Sequence, residues 1–341
     1  MDQLAMAAYD VCIDIGGMPI LVHTHSAELA HLLKDRYGPF VVRSAPSPNP
    51  SSDGPSLGDH EGRPYPPGRP QSPAPYSTGE ESTPPAVFEL VVELVPPGIV
   101  SDAEDVRVRL EGGGWVMERG DFRAEWDPKH RRGWVRQSPN PYAIDSVLRI
   151  LHSLVLAREG GFLVHAASAI RNGRAFLFAG VSGAGKTTIS RLAPPDVVML
   201  TDEISYVRPW KQGTANREQG AALGLQDNTQ QPTERAKSLP ASLFPAYEAF
   251  GTPFAGELAR IGENLRAPVA ALYLLTQGAG NTFEPVSHAE AARALLRNIL
   301  FFAQDEELVR LVSQSAFDFV NRVPVRRLVF APDARVWELI T

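Results

Sequence analysis

The sequence predicts an α/β fold in which a mixed-sheet core carries a phosphate-binding loop and a small β-rich N-terminal domain precedes it. Three observations carry this. Residues 180–187 read Gly-Val-Ser-Gly-Ala-Gly-Lys-Thr, the G-x-x-x-x-G-K-T pattern, between the apolar run 175–179 and a helix-compatible stretch, 188–193. Asn172-Gly173 separates two strand-like runs, 161–170 and 174–179, and is a type I′ hairpin signal. The strand that feeds the loop therefore has an antiparallel neighbour, which a purely parallel sheet would not provide. Before residue 141, short alternating runs dominate, as in a small β unit.

Taken in order, residues 11–15 and 19–22 form a hairpin turning at Gly16-Gly17. Ser26 caps a helix over 27–37, with Glu28 in its first turn. Residues 44–86 hold twelve of the thirty prolines, eight serines and almost no aliphatic side chains. Such a stretch cannot bury enough apolar surface to offset its ordering entropy, so it reads as a disordered insertion. Within it, Tyr65-Pro66-Pro67-Gly68-Arg69-Pro70 is a candidate polyproline ligand, although a plain linker fits the composition better. The runs 87–95, 106–110, 115–118, 122–126 and 133–136 continue the N-terminal domain as an antiparallel sheet, so that this domain comprises 1–43 and 87–140. His23 and His25 alternate on one strand face without further metal ligands in view.

The second domain, 141–341, opens with a helix over 141–157, with Pro141 in its first turn. After the hairpin and the loop, 197–200 is a short buried strand ending in Thr201-Asp202-Glu203, and 205–210 is expected to pair back onto it. Residues 211–234 are polar and aperiodic, a mobile loop. A buried strand over 269–276 follows, then a helix that Ser287 and Glu290 cap and that extends to about residue 303, a second helix over 306–321, and a final strand over 325–330.

Composition limits the function. The chain has 341 residues, 43% hydrophobic and 21% charged, with a net charge of −6, which offers no global electrostatic case for nucleic acid. The five lysines are Lys34, Lys129, Lys186, Lys211 and Lys237, so few can bind phosphate. The single cysteine, Cys12, excludes an intrachain disulfide and thiolate metal clusters. Residues 1–10 lack a signal-peptide pattern, and no apolar run reaches the roughly 18 residues of a membrane span. The expectation is a reduced, cytoplasmic protein without membrane or nucleic-acid partners, with homo-oligomerisation left open.

The loop defines the candidate chemistry. Backbone N–H groups of Gly180, Ser182, Gly183, Ala184 and Gly185 can converge on phosphate oxygens, Lys186 can reach the terminal phosphates, and the hydroxyl of Thr187, followed by Thr188, can bind Mg²⁺. Asp202 and Glu203 end a strand sixteen positions after Lys186, where a metal-binding or base carboxylate belongs. Their adjacency suits two roles, one toward metal and one toward an acceptor hydroxyl. His165 lies inside the strand before the loop, where a histidine satisfied by backbone groups is the simpler reading of the pattern.

Residues 164–207, from Val164-His165-Ala166-Ala167 through the loop to Asp202-Glu203, resemble the catalytic core of the HPr kinase/phosphorylase family and, more distantly, ATP-dependent phosphoenolpyruvate carboxykinases. Residues 251–257, 289–298 and 323–328 resemble the branch of HPr-kinase-like proteins whose substrate is unassigned. The resemblance implies ATP and Mg²⁺ as cofactors, with residues 180–188 on the phosphates and Thr187 and Glu203 at the metal. Asp202 would be the base toward the acceptor, and His165 would lie near the transferred phosphate. Thr187 replaces the family's serine, Thr188 its usual glutamate, and the basic signature tied to HPr is not evident. Neither phosphorylase activity nor HPr itself is therefore part of the expectation.

The resulting expectation is an ATP-dependent kinase that phosphorylates a hydroxyl, foremost serine of a protein or peptide. The alternative is a nucleotide-binding regulator or ATPase without a transfer acceptor. A carboxykinase-like enzyme is the weakest reading, because the sequence shows no Lys/His metal-ligand set for it.

Overall fold

The computed structural model describes residues 9–42, 88–96, 100–210, 245–256, 258 and 261–341. The expected linker at 44–86 and the expected mobile loop at 211–234 lie outside the described residues.

Strands β1 (Tyr9–Ile15) and β2 (Met18–Thr24) pair antiparallel through Gly16-Gly17. Both glycines have positive φ, +68° and +69°, as a type I′ turn requires. His25 falls beyond the end of β2, so the two histidines do not share a strand face; His23 contacts Asp10 instead, at 2.8 Å. Helix α1 (Ala27–Tyr37) begins where expected, with Ser26 Oγ accepting the Leu29 N–H at 3.1 Å. The short strand β3 (Val41–Val42) pairs with β1 and was not expected.

Strands β4 (Phe88–Leu94), β5 (Arg107–Glu111), β6 (Gly114–Arg119), β7 (Phe122–Asp127) and β8 (Arg132–Gln137) complete an eight-stranded sheet in the order β3-β1-β2-β4-β8-β7-β6-β5. This sheet is mixed, not antiparallel as expected: β4 runs parallel to both β2 and β8. No tight turn joins β4 to either neighbour, since 43–87 and the β5–β7 meander intervene, so the hairpin constraint that enforces antiparallel pairing is absent.

Helix α2 (Pro141–Arg158) is capped by Asn140, whose Oδ1 accepts the Tyr142 N–H at 2.9 Å. Strand β9 (Phe162–Arg171) turns at Asn172-Gly173, φ +51° and +71°, into β10 (Arg174–Ala179). Then follow the six-residue helix α3 (Lys186–Arg191), β11 (Val198–Thr201), β12 (Ile204–Pro209), β13 (Tyr247–Phe250), the long β14 (Arg266–Gln277) and β15 (Thr282–Pro285). The C-terminal part contains α4 (His288–Asn298), β16 (Ile299–Leu300), α5 (Glu306–Arg322), β17 (Val325–Phe330) and a 3₁₀ turn over Ala334–Leu339.

The second sheet is also mixed. Its order is β10-β9-β12-β13-β14-β17-β15, and a parallel β10–β14 pairing closes the circuit from β10 back to β14. Two expectations are corrected here. Strand β12 pairs with β9 and β13, whereas β11 pairs with a different part of β9. The helix capped by Ser287 stops at Asn298 rather than near residue 303, because Ile299 and Leu300 become extended and pair with Val164 and Leu163. Apolar side chains continued past the helix, but they serve a strand.

The two sheets share a core. One continuous apolar cluster joins Ile13, Phe88 and Met117 of the first sheet to Leu148 and Leu151 of α2, Leu163 of β9 and Tyr206 of β12. The second sheet buries Phe162, Leu272 and Phe319 on the α4/α5 side and Phe178, Ile189 and Trp337 on the α3 side. Among the described residues no helix is long and apolar enough to cross a membrane.

Candidate functional site

The loop of residues 180–185 leaves the C-terminal end of β10 and enters α3, so the strand–loop–helix context expected from the motif is present. Its backbone depends on glycine. Gly183 and Gly185 have φ of +79° and +109°, and a Cβ on Gly185 would stand 2.5 Å from the Phe330 ring. A Cβ on Gly180 would meet that of Ala184 at 2.6 Å. Lys186 is buried, and its Nζ donates to Gly180 O at 2.9 Å, folding the side chain back along the loop. Because α3 is only six residues long, the loop's own N–H groups matter more for an anion than a helix dipole does.

A cleft of about 570 Å³ opens over this loop. Ser182, Gly183, Gly185, Lys186, Thr187 and Thr188 form one wall. His165, Glu203, Gly256 and Gln277 face them from other elements. His165 lies on β9 opposite Ile204, and its Nε2 is 3.3 Å from Glu203 Oε1. The bend that presents Glu203 is built by Thr201, whose buried Oγ1 accepts the N–H groups of Glu203 and Ile204 at 3.2 and 3.3 Å. The Glu203 carboxyl is held below its ordinary range by the hydrogen bond from His165, against the opposing effect of partial burial, with the charges of His165, Lys186 and Arg149 adding to the lowering. A carboxylate held this low is a weak proton acceptor, which suits Glu203 better to holding a metal than to acting as a general base.

Asp202 takes a different place. It is buried and does not line the cleft. Oδ1 accepts the Gly256 N–H at 2.9 Å and Oδ2 the Leu258 N–H at 3.1 Å. The carboxylate therefore pins the segment after β13 against the Asp202-Glu203 bend, and a Cβ on Gly256 would clash with Glu203 Oε2 at 2.6 Å. Two accepted hydrogen bonds leave a carboxylate with lone pairs to spare, so a substrate hydroxyl remains chemically compatible with Asp202. Ala184 is buried in the core beside Phe178, and its N–H bonds Val181 O at 3.0 Å, so it shapes the loop from within.

These residues fit a nucleotide's phosphates and a small divalent cation. The loop's backbone is one that only glycine adopts without strain at residues 183 and 185, and Lys186 brings a cation to its floor. Thr187 and Glu203 are two oxygen donors across the cleft, enough for Mg²⁺, which keeps several ligands from phosphates and water.

Sequence reasoning missed three contributors. Gln277 ends β14 and its Nε2 donates to Gly183 O at 2.5 Å. Phe330 supports Gly185 from below. Arg149 on α2 lies 5.2 Å over the ring of Phe254, in the segment that Asp202 holds. A polar residue ending a buried strand was the available signal for Gln277; nothing local marked the other two.

A larger concavity, about 800 Å³, lies on the N-terminal sheet and includes Trp126 and Trp134. Within it Arg132 pairs with Glu89 at 2.9 Å and His130 lies 2.6 Å from Asp127, and the loop of residues 180–187 is not part of its lining. No family model matches the sequence, and no curated protein matches it.

Proposed function

We propose that this chain is an ATP-dependent phosphotransferase with an HPr-kinase-like core, transferring the γ-phosphate to a hydroxyl, foremost serine of a protein or peptide. One observation carries the reading: the glycine-dependent loop with Lys186 and Thr187 faces the His165–Glu203 pair across a single cleft. The resemblance of residues 164–207 to the HPr kinase core and the mixed sheet with its antiparallel β9–β10 hairpin agree with it.

In this reading residues 180–187 bind the nucleotide's phosphates, and Lys186 neutralises charge that builds on the transferred group. Thr187 and Glu203 would hold Mg²⁺, which would supply positive charge to offset that of the phosphates. His165 orients Glu203 and stands beside the transferred phosphate. Asp202 holds Gly256 and Leu258 as part of the wall on the acceptor side and directs the hydroxyl through its remaining lone pairs.

The engagement of both Asp202 oxygens by backbone N–H groups favours a second reading, a nucleotide-responsive regulator or ATPase with no acceptor. Acceptor-dependent turnover separates the two. With γ-labelled ATP and a serine-peptide array, the kinase reading expects labelled peptide, and Lys186→Ala should remove the label while the melting temperature stays near wild type. Loss of one such electrostatic contact costs roughly 3–4 kcal/mol in the transition state, a factor of 10²–10³. Label release as free phosphate alone would support the regulator, and full transfer by Lys186→Ala would refute both roles given to the loop.

A further inference from the structure

We propose that Gln277 is a positioning residue for the phosphate loop, acting with Phe330 as a two-point brace; the nucleotide affinity ascribed to it rests on the reading above. Strand β14 runs parallel to β10, with Ala179 opposite Leu274, so the two strands end on the same side and β14 overhangs the loop by three residues. Gln277, the last of these, donates its carboxamide N–H to Gly183 O at 2.5 Å. Across the β14–β17 pairing its register partner is Phe330, whose ring stands against Gly185. One cross-strand pair thus holds the loop at two alternate glycines, one by a hydrogen bond and one by contact.

The physical need is clear from the backbone. Gly183 and Gly185 both sit at positive φ, and glycine is the residue with the most conformational freedom to lose. An unbraced loop would have to be ordered by its ligand, which weakens binding. Phe330 fixes Gly185 sterically, but a Cβ built on Gly183 meets nothing within 4 Å, so no side chain backs Gly183 on that side as Phe330 backs Gly185. The Gln277 hydrogen bond restrains Gly183 through its carbonyl. Gln277 also lines the cleft with Lys186 and Thr187, so a negative charge introduced at this position would repel a bound phosphate.

The test compares Gln277→Ala, Gln277→Glu and Gln277→Asn in the full chain. Glutamate keeps the shape but, ionised, cannot donate to a carbonyl. Three measurements are made: amide hydrogen exchange over 180–187 without ligand, ATP·Mg²⁺ affinity by calorimetry, and melting temperature. The alanine and glutamate variants should exchange faster in the loop and bind ATP·Mg²⁺ about three- to tenfold more weakly at unchanged melting temperature, as for one lost hydrogen bond. Glutamate should be the weaker binder of the two, and asparagine should recover part of the loss. Wild-type exchange in Gln277→Ala would overturn the proposal, as would a matching fall in melting temperature, which would make Gln277 part of the general fold. If wild type binds no ATP·Mg²⁺, the nucleotide reading fails, while loop exchange still decides whether Gln277 positions the loop.

Discussion

Asp202 accepts two backbone N–H groups, whereas its neighbour Glu203 meets His165 and the cleft, so substitutions at the two positions should part company. Asp202→Asn sets an amide NH₂ where one backbone N–H was accepted, leaving a buried donor unsatisfied at a cost of about 1–3 kcal/mol. It should lower the melting temperature and cut transfer by roughly 10²-fold or more while ATP·Mg²⁺ affinity largely survives. Glu203→Gln should leave stability near wild type and weaken nucleotide binding together with its Mg²⁺ dependence. Calorimetry with and without Mg²⁺, thermal melts and transfer assays on both variants check this. Nucleotide affinity that falls in step with activity in Asp202→Asn would undo the division of labour. Adjacent acids after a strand were legible in the sequence; which one turns inward was not, because the choice depends on N–H groups from a segment about fifty residues later.

The strand–loop–helix element is where local and distant constraints meet. Both Gly183 and Gly185 have positive φ, yet only Gly185 is also backed by a ring, with Phe330 Cζ 2.5 Å from a hypothetical Cβ. Alanine at 183 carries backbone strain alone, roughly 1–3 kcal/mol, local to an exposed loop tip. Alanine at 185 adds a clash that must displace the loop or Phe330. Gly185→Ala should therefore abolish ATP·Mg²⁺ binding and lower the melting temperature by several degrees, whereas Gly183→Ala should retain weakened binding. Equal behaviour of the two variants in calorimetry and thermal melts would show that Phe330 does not brace the loop. The helix at Ser287 shows the opposite balance. Its start was legible, since Ser287 Oγ accepts the Glu290 N–H at 3.3 Å. Its end was not, because pairing of Ile299 and Leu300 with β9 overrides helix propensity.

Across the whole molecule, α2 is the seam between the two sheets. Asp145 on α2 receives Arg36 through two hydrogen bonds and Tyr37 Oη at 2.7 Å, tying α1 to α2. His152, fully buried, packs against Phe88 of the first sheet and Tyr206 of the second, with Nδ1 2.7 Å from Tyr206 Oη. Burial pushes its pKa from 6.5 down to about 3. Between those values the unfolded chain binds a proton that the folded chain refuses. The contribution is complete above pH 6.5 and is lost as pH falls toward 3, at up to about 1.4 kcal/mol per pH unit. Denaturant unfolding from pH 7 to pH 4 should show wild type losing stability faster than His152→Gln. The variant, weaker at pH 7, should close the gap at pH 4, and parallel curves would mean that His152 does not titrate in this window.

What could be read from the chain alone was whatever depends on near neighbours: the Gly16-Gly17 and Asn172-Gly173 turns, the caps at Ser26 and Ser287, and the loop of residues 180–187 between a strand and a helix. Their physics operates within a few residues, through allowed φ, side-chain capping and the spacing of N–H donors. Strand partners are different. The parallel placement of β4, the transfer of β12 to β9 rather than β11, and the closure of β10 onto β14 depend on burying apolar faces contributed by distant segments. The same holds for the cleft. The motif marked the phosphate side, but Glu203 over Asp202, Gln277 over Gly183 and Phe330 under Gly185 follow from register and packing between strands far apart in the chain, which no local pattern encodes.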